Sequence, residues 1–187
     1  MLYTLFMDQE NLPREEGLGA MEFFLLALVG KTGLRSVYEL RQHASLEPGA
    51  MRSAMERLEA AQLISRTEPG KRRRRELALT AEGSFLLEHR WPNCLREYPD
   101  ADAILRAAFV GWAMAGADAA AMYLRAMASA RQQGAGEMSR TATYLKPSKA
   151  EALPSYLWMR ASQEAHRRSS EGEAFLSMSR SIEESLS

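Results

Sequence analysis

Five consecutive cations, Lys71-Arg72-Arg73-Arg74-Arg75, stand in the middle of the chain. Such a run cannot enter a core, because every unpaired buried charge carries a large desolvation penalty. It must lie on an exposed connection, and its flanks must leave that connection in solvent. Leu63-Ile-Ser-Arg-Thr67 is short and β-compatible, and Glu68-Pro-Gly-Lys71 has type II turn chemistry. Glu76-Leu-Ala-Leu-Thr80 alternates, with Leu77 and Leu79 on one face. The pattern predicts a β-hairpin with a basic tip.

Helical periodicity surrounds this hairpin. Glu15 to Leu28 reads as a first helix, with Met21, Phe24, Leu25 and Leu28 on one face and Gly30 and Gly33 bracketing its end. Ser36 is the expected cap of a second helix, Val37 to Ala44, with Val37, Leu40 and Tyr38 as its inward candidates. After the turn Ser45–Gly49, Pro48 suits the first turn of a third helix, about 48–62. Met51, Ala54, Met55, Leu58 and Ala61 form its apolar stripe. Thr80 is the expected cap of a helix that includes Phe85 and Leu86 and ends at Trp91-Pro92.

Three helices, a hairpin and a further helix follow the order of a winged helix-turn-helix. The reading is therefore mainly α, with a DNA-binding domain over 15–92, a wing at about 66–77 and a recognition helix at about 48–62. Charge distribution agrees with that use. Residues 1–30 hold one Lys or Arg against five Asp or Glu, and residues 31–90 hold twelve against eight, although the whole chain balances at 24 each. The expected partner is a double-stranded DNA operator. Lys71, Arg72, Arg73, Arg74 and Arg75 would meet phosphates or a minor groove. On the third helix Gly49, Arg52, Ser53, Glu56 and Arg57 point away from the stripe. Arg52 suits guanine, Ser53 and Arg57 suit phosphate or bases, and Glu56 either accepts from cytosine or pairs with a neighbouring Arg.

Residues 93–187 read as a C-terminal helical dimerisation region. A long helix is expected from about Asp102 to Gln133, broken by Gln132-Gln-Gly-Ala-Gly136. Its apolar surface is wide enough to need more than one partner. Leu105, Phe109, Trp112, Gly116 and Tyr123, with Leu157 of a later helix, are the expected dimerisation residues. Lys149 to Ser169 and Glu171 to Leu186 read as two further helices. Asp118 is expected to pair with an Arg across the dimer or to cap a kink. Trp112, Met114, Tyr123 and Trp158 could line a pocket for a small, flat aromatic effector, although helical spacing also fits plain core packing.

Several segments together resemble the PadR family of bacterial transcriptional regulators. They are Phe24-Leu-Leu-Ala-Leu28, Val37-Tyr-Glu-Leu40, Leu46-Glu-Pro-Gly-Ala-Met51, Leu58-Glu-Ala-Ala-Gln-Leu-Ile64 and Leu79-Thr-Ala-Glu-Gly83. The likeness covers roughly residues 20–90, and the Leu-Thr-x-x-Gly ending is shared with MarR-like winged helices, the second choice. Gln62 stands where such proteins usually carry glycine. The resemblance implies a homodimer, formed mainly by C-terminal helices, that represses a promoter with an inverted-repeat operator.

Other classes find less support. His43, His89 and His166 are scattered, no metal-ligand spacing or phosphate-binding glycine loop occurs, and Cys94 is alone, so neither an enzyme nor a metal or cofactor is expected. The two alternatives are a winged helix that binds an acidic protein partner and a small enzyme acting on an aromatic substrate. The apolar stretch between Arg106 and Arg125 is interrupted by Asp118, so no membrane contact is expected. The N-terminus lacks a basic leader, and a single cysteine fits a reducing compartment, so the expected location is cytoplasmic.

Overall fold

The computed structural model describes residues 18–44, 46–66, 76–146 and 156–185. Among them the chain is mainly helical, with seven α-helices and one small antiparallel strand pair. The first three helices are α1 (Ala20–Lys31), α2 (Val37–Ala44) and α3 (Pro48–Ala60). Strands β1 (Ile64–Arg66) and β2 (Leu77–Leu79) pair with Ile64 opposite Leu79 and Arg66 opposite Leu77. Helix α4 (Ala81–Arg90) and a 3-10 turn at Trp91–Cys94 lead to α5 (Ala101–Ala115), α6 (Ala117–Tyr144) and α7 (Tyr156–Glu184).

Helix α1 is the hub of the N-terminal half. It starts at Ala20, the expected start at Glu15 lying outside the described residues, and it is buried on nearly every side rather than on one face. The reason is its neighbours, since α3, α4, β2 and α5 all pack against it. Phe24 meets Phe109 of α5 edge to face, with ring centroids 5.1 Å apart. One cluster of buried side chains runs from Ala20 through α5 and α6 to Phe175 of α7.

Of the α2 side chains expected inward only Leu40 is buried, whereas Val37 and Tyr38 are exposed; the capping signals of the N-terminal half act as their chemistry dictates. Ser36 Oγ accepts from the Glu39 amide, and Glu39 returns a carboxylate to the Ser36 amide, a reciprocal cap for α2. Met51, Ala54, Met55 and Leu58 of α3 are buried, whereas Ala61 lies past the helix end and is exposed. Thr80 Oγ1 accepts from Gly83 N and donates to Gln62 O, so one hydroxyl caps α4 and ties it to the strand entry. A Cβ on Gly83 would lie 1.9 Å from the Leu63 carbonyl oxygen. The Leu-Thr-x-x-Gly element is thus a cap plus a close backbone approach.

The C-terminal half departs from expectation at two places. The single long helix is two, α5 and α6, separated at Gly116, whose φ of 90° suits glycine and breaks the helical path. Asp118 then sits in the first turn of α6, a position where an acidic residue is favoured by the helix dipole. The Gln132–Gly136 stretch does not break α6. Gly134 instead admits Arg168 of α7, whose guanidinium occupies the space a Cβ would need. Among the described residues the two late helices are one, α7, which packs mainly against α6 as an antiparallel hairpin, while 149–155 and 186 lie outside them. Buried Arg131 pins this hairpin to the 97–99 connector. Its Nη2 donates to the carbonyls of Tyr98 (2.7 Å) and Pro99 (3.0 Å). Its Nε lies 2.9 Å from Glu171 Oε2, an ion pair approached off the hydrogen-bond direction.

Candidate nucleic-acid interface

Helix α3 presents two faces. Leu58, Met55, Ala54 and Met51 fix it to the core, which leaves Gly49, Arg52, Ser53, Glu56 and Arg57 exposed, the five residues read from spacing. These five do not stand alike. Arg57 reaches back to α1, where its Nε donates to Glu22 Oε1 at 2.9 Å and its Nη2 pairs with the same oxygen. Glu22 is 3% exposed, and its other oxygen accepts from the Gly19 amide at 2.8 Å. Two of the Arg57 nitrogens are therefore engaged with a structural carboxylate, while its side chain stays about half exposed on the outer face of α3. Among the described residues Arg52 and Ser53 carry no such tie.

A cleft of about 270 Å³ opens between α2, α3 and β1. Arg41, Arg52, Glu56 and Arg66 line it, over an apolar floor that includes Met51 and Met55. Arg66 is paired with Glu59 at the cleft edge. The spacing along α2 does not mark Arg41 as part of this face. Only the packing of Leu40 into the core, which turns α2 so that Arg41 borders α3, reveals its place.

The strand pair fixes where the basic run belongs in the chain. Residues 67–76 connect β1 to β2, and Lys71, Arg72, Arg73, Arg74 and Arg75 within that connection lie outside the described residues. At the base of the pair, the Leu77 amide donates to the Arg35 carbonyl at 2.7 Å, and Arg35 and Glu76 approach to 4.0 Å.

No protein-family model, no curated protein and no solved structure matches this chain.

The expected dimerisation residues divide in the structure. Tyr123 is 1% exposed and its hydroxyl donates to the Arg96 carbonyl at 2.7 Å, so it belongs to the core of its own chain and not to an outer face. Burial holds its pKa above the usual phenol range. Leu105 and Phe109 are partly buried against that core. Trp112 remains 47% exposed, and Gly116 is exposed at the helix break. Leu157 is exposed near the start of α7.

Within one chain, the four residues of the expected effector pocket do not line a single groove. Trp112 lines an apolar groove of about 380 Å³ with Leu105, Phe109, Leu124, Met178 and Ile182. Trp158 lines a separate groove of about 570 Å³ with Ala142 and His166. Ala120 of the first groove and Ala142 of the second are about 33 Å apart along α6 at 1.5 Å per residue. Tyr123 is committed to Arg96, and Met114 is partly buried against the core. Cys94 is buried, and burial pushes its thiol up to about 12, so it is not an activated nucleophile. Among the described residues no group of three or more His, Cys, Asp or Glu could hold a metal ion, and no helix is long and apolar enough to cross a membrane.

Proposed function

We propose that this chain is a DNA-binding transcriptional regulator, built as a PadR-like winged helix and acting as a homodimeric repressor. One observation carries the reading. A helix with an exposed Arg52–Ser53 face is followed directly by an antiparallel strand pair whose connection holds five adjacent cations. In a winged helix those two elements meet the same duplex. Helix α3 enters the major groove, and the basic connection lies on phosphates or in the adjacent minor groove. Two copies about a twofold axis place two recognition helices on successive major grooves, which supplies the base contacts one small unit lacks.

The test is a labelled duplex titrated with protein across a salt series, with the wild type beside a variant carrying Ala at positions 72 to 75. Wild-type affinity should fall steeply with salt, and the variant should bind weakly with a shallower slope. An acidic polypeptide of equal charge, added as competitor, separates duplex recognition from attraction to any polyanion. Absence of wild-type binding to a varied duplex pool at low salt defeats the reading.

A further inference from the structure

The sequence left two uses for Glu56, pairing with a nearby arginine or contact with a base. The structure removes the obvious pairings. Arg57 is held by Glu22, and Arg66 is held by Glu59. Arg52, one turn before Glu56 on the same face, is not within ion-pair distance of it, and neither is Arg41 across the cleft. Glu56 is thus an exposed carboxylate without an ion-pair partner among the described residues, in a cleft bordered by three arginines.

On a face that meets phosphates, a free carboxylate is repelled unless it accepts a proton donor from the nucleic acid. Two major-groove groups donate, the amino groups of cytosine and adenine. Adenine sets an acceptor nitrogen beside its amino group, which repels a second acceptor, whereas cytosine does not. Glu56 therefore favours cytosine. Arg41 stands on the opposite wall, and its charge offsets the repulsion by taking a phosphate. Arg52 and Glu56 are separated by about 6 Å along the helix axis. That span is within two base-pair steps of about 3.4 Å, so the two side chains can read neighbouring positions.

We propose that the cleft between α2 and α3 is a base-reading subsite in which Glu56 accepts a hydrogen bond from a cytosine amino group while Arg41 holds the adjoining phosphate. This inference rests on the DNA-binding reading given above and names the bases that reading would select.

The experiment uses the full chain. Duplexes are selected from a random pool with wild-type protein, and each cytosine of the selected site is then replaced in turn. Anisotropy titrations follow for the wild type, Glu56→Gln and Arg41→Gln. Both substituted residues are exposed, and thermal melts confirm that the variants fold. Glu56→Gln should lose about tenfold discrimination at one cytosine position while binding non-specific duplex more tightly, because a repelling charge has gone. Arg41→Gln should weaken every duplex alike and reduce the salt slope by about one. A uniform gain of affinity in Glu56→Gln with unchanged base ranking overturns the subsite and leaves the DNA reading standing, as does an unchanged slope in Arg41→Gln. A wild type that binds no duplex overturns both.

Discussion

Arg57 and Glu22 join the exposed helix α3 to the buried helix α1 through a charge pair that is dry on one side only. Glu22 is 3% exposed, whereas the Arg57 side chain is about half exposed. Removing Arg57 leaves a carboxylate in the core with only the Gly19 amide to satisfy it. Arg57→Ala should destabilise the fold by about 1–3 kcal/mol, below the range for a fully buried pair because solvent screens the arginine. Adding Glu22→Gln should recover part of that loss, since the charge disappears while an acceptor remains for Gly19. Urea unfolding of the four proteins of the cycle checks this. Additive effects would show that the pair is not coupled.

Gln62 lies between α3 and β1 with φ of 56°, and among the described residues it is the one non-glycine at positive φ. That conformation costs an L-residue about 1–2 kcal/mol, part of which a glycine returns through its greater freedom when unfolded. The Gln62 side chain is exposed, and its carbonyl receives the Thr80 hydroxyl, so the backbone matters here more than the side chain. Gln62→Gly should stabilise the protein by about 0.5–1 kcal/mol, and Gln62→Val should destabilise it by more than that. Thermal melts of both variants give the signs directly.

Much of the N-terminal half was legible because its signals are local. The 51-54-55-58 spacing, the Ser36 and Thr80 caps, and Pro48 at a helix start each act within a few residues, and each appears in the structure. The C-terminal half was read less well because its decisive residues act through partners. Gly116 sits in a run of alanines and glycine that looks continuously helical, and only its backbone angle marks the break. Gly134 reads as a helix breaker, yet it lies inside α6, where its missing side chain leaves room for Arg168. Tyr123 falls on the same helical stripe as Trp112, but the break between α5 and α6 sends one inward and leaves the other half exposed. Arg41 joins α3 only through packing, which no spacing along α2 announces.

Acid should loosen the α6–α7 hairpin in a defined window. Glu164 accepts from Arg167 Nη2 and from Arg168 Nε, each at 2.7 Å, and the Arg167 contact, followed by Arg168, holds its carboxyl down at about 2. A folded pKa below the unfolded one binds fewer protons in the native state. The stabilisation is therefore complete above the ordinary carboxylate range near pH 4.5 and is lost as pH falls through about 2. The group is partly solvated, so the effect is about 1 kcal/mol or less. Arg168 also fills the space over Gly134, which ties this acid limb to helix packing. Glu164→Gln should lower stability at pH 6 and match the wild type near pH 2. An equal gap at both pH values would place the effect in packing rather than in charge.

The homodimer reading makes a choice between two exposed faces of the C-terminal half. Trp112 stands in a groove lined by Leu105, Phe109, Leu124, Met178 and Ile182, a continuous apolar surface. Leu157 borders a cleft that also carries Arg160, Glu164 and Arg167. Interface cores exclude charge and concentrate aromatic anchors, so the Trp112 face is the one suited to the centre of a twofold contact. Trp112→Glu should weaken self-association at least tenfold, about 1.4 kcal/mol, whereas Leu157→Glu should change it little. Sedimentation velocity over a concentration series reads both. A half-exposed residue also allows the substitution without emptying the monomer core, and a thermal melt verifies that. If Leu157→Glu dissociates the dimer and Trp112→Glu does not, the twofold axis passes by the end of the hairpin where α7 begins. The two recognition helices would then be set by the hairpin instead of by α5, and their spacing would depend on the Arg131 contacts that pin the hairpin to the 97–99 connector.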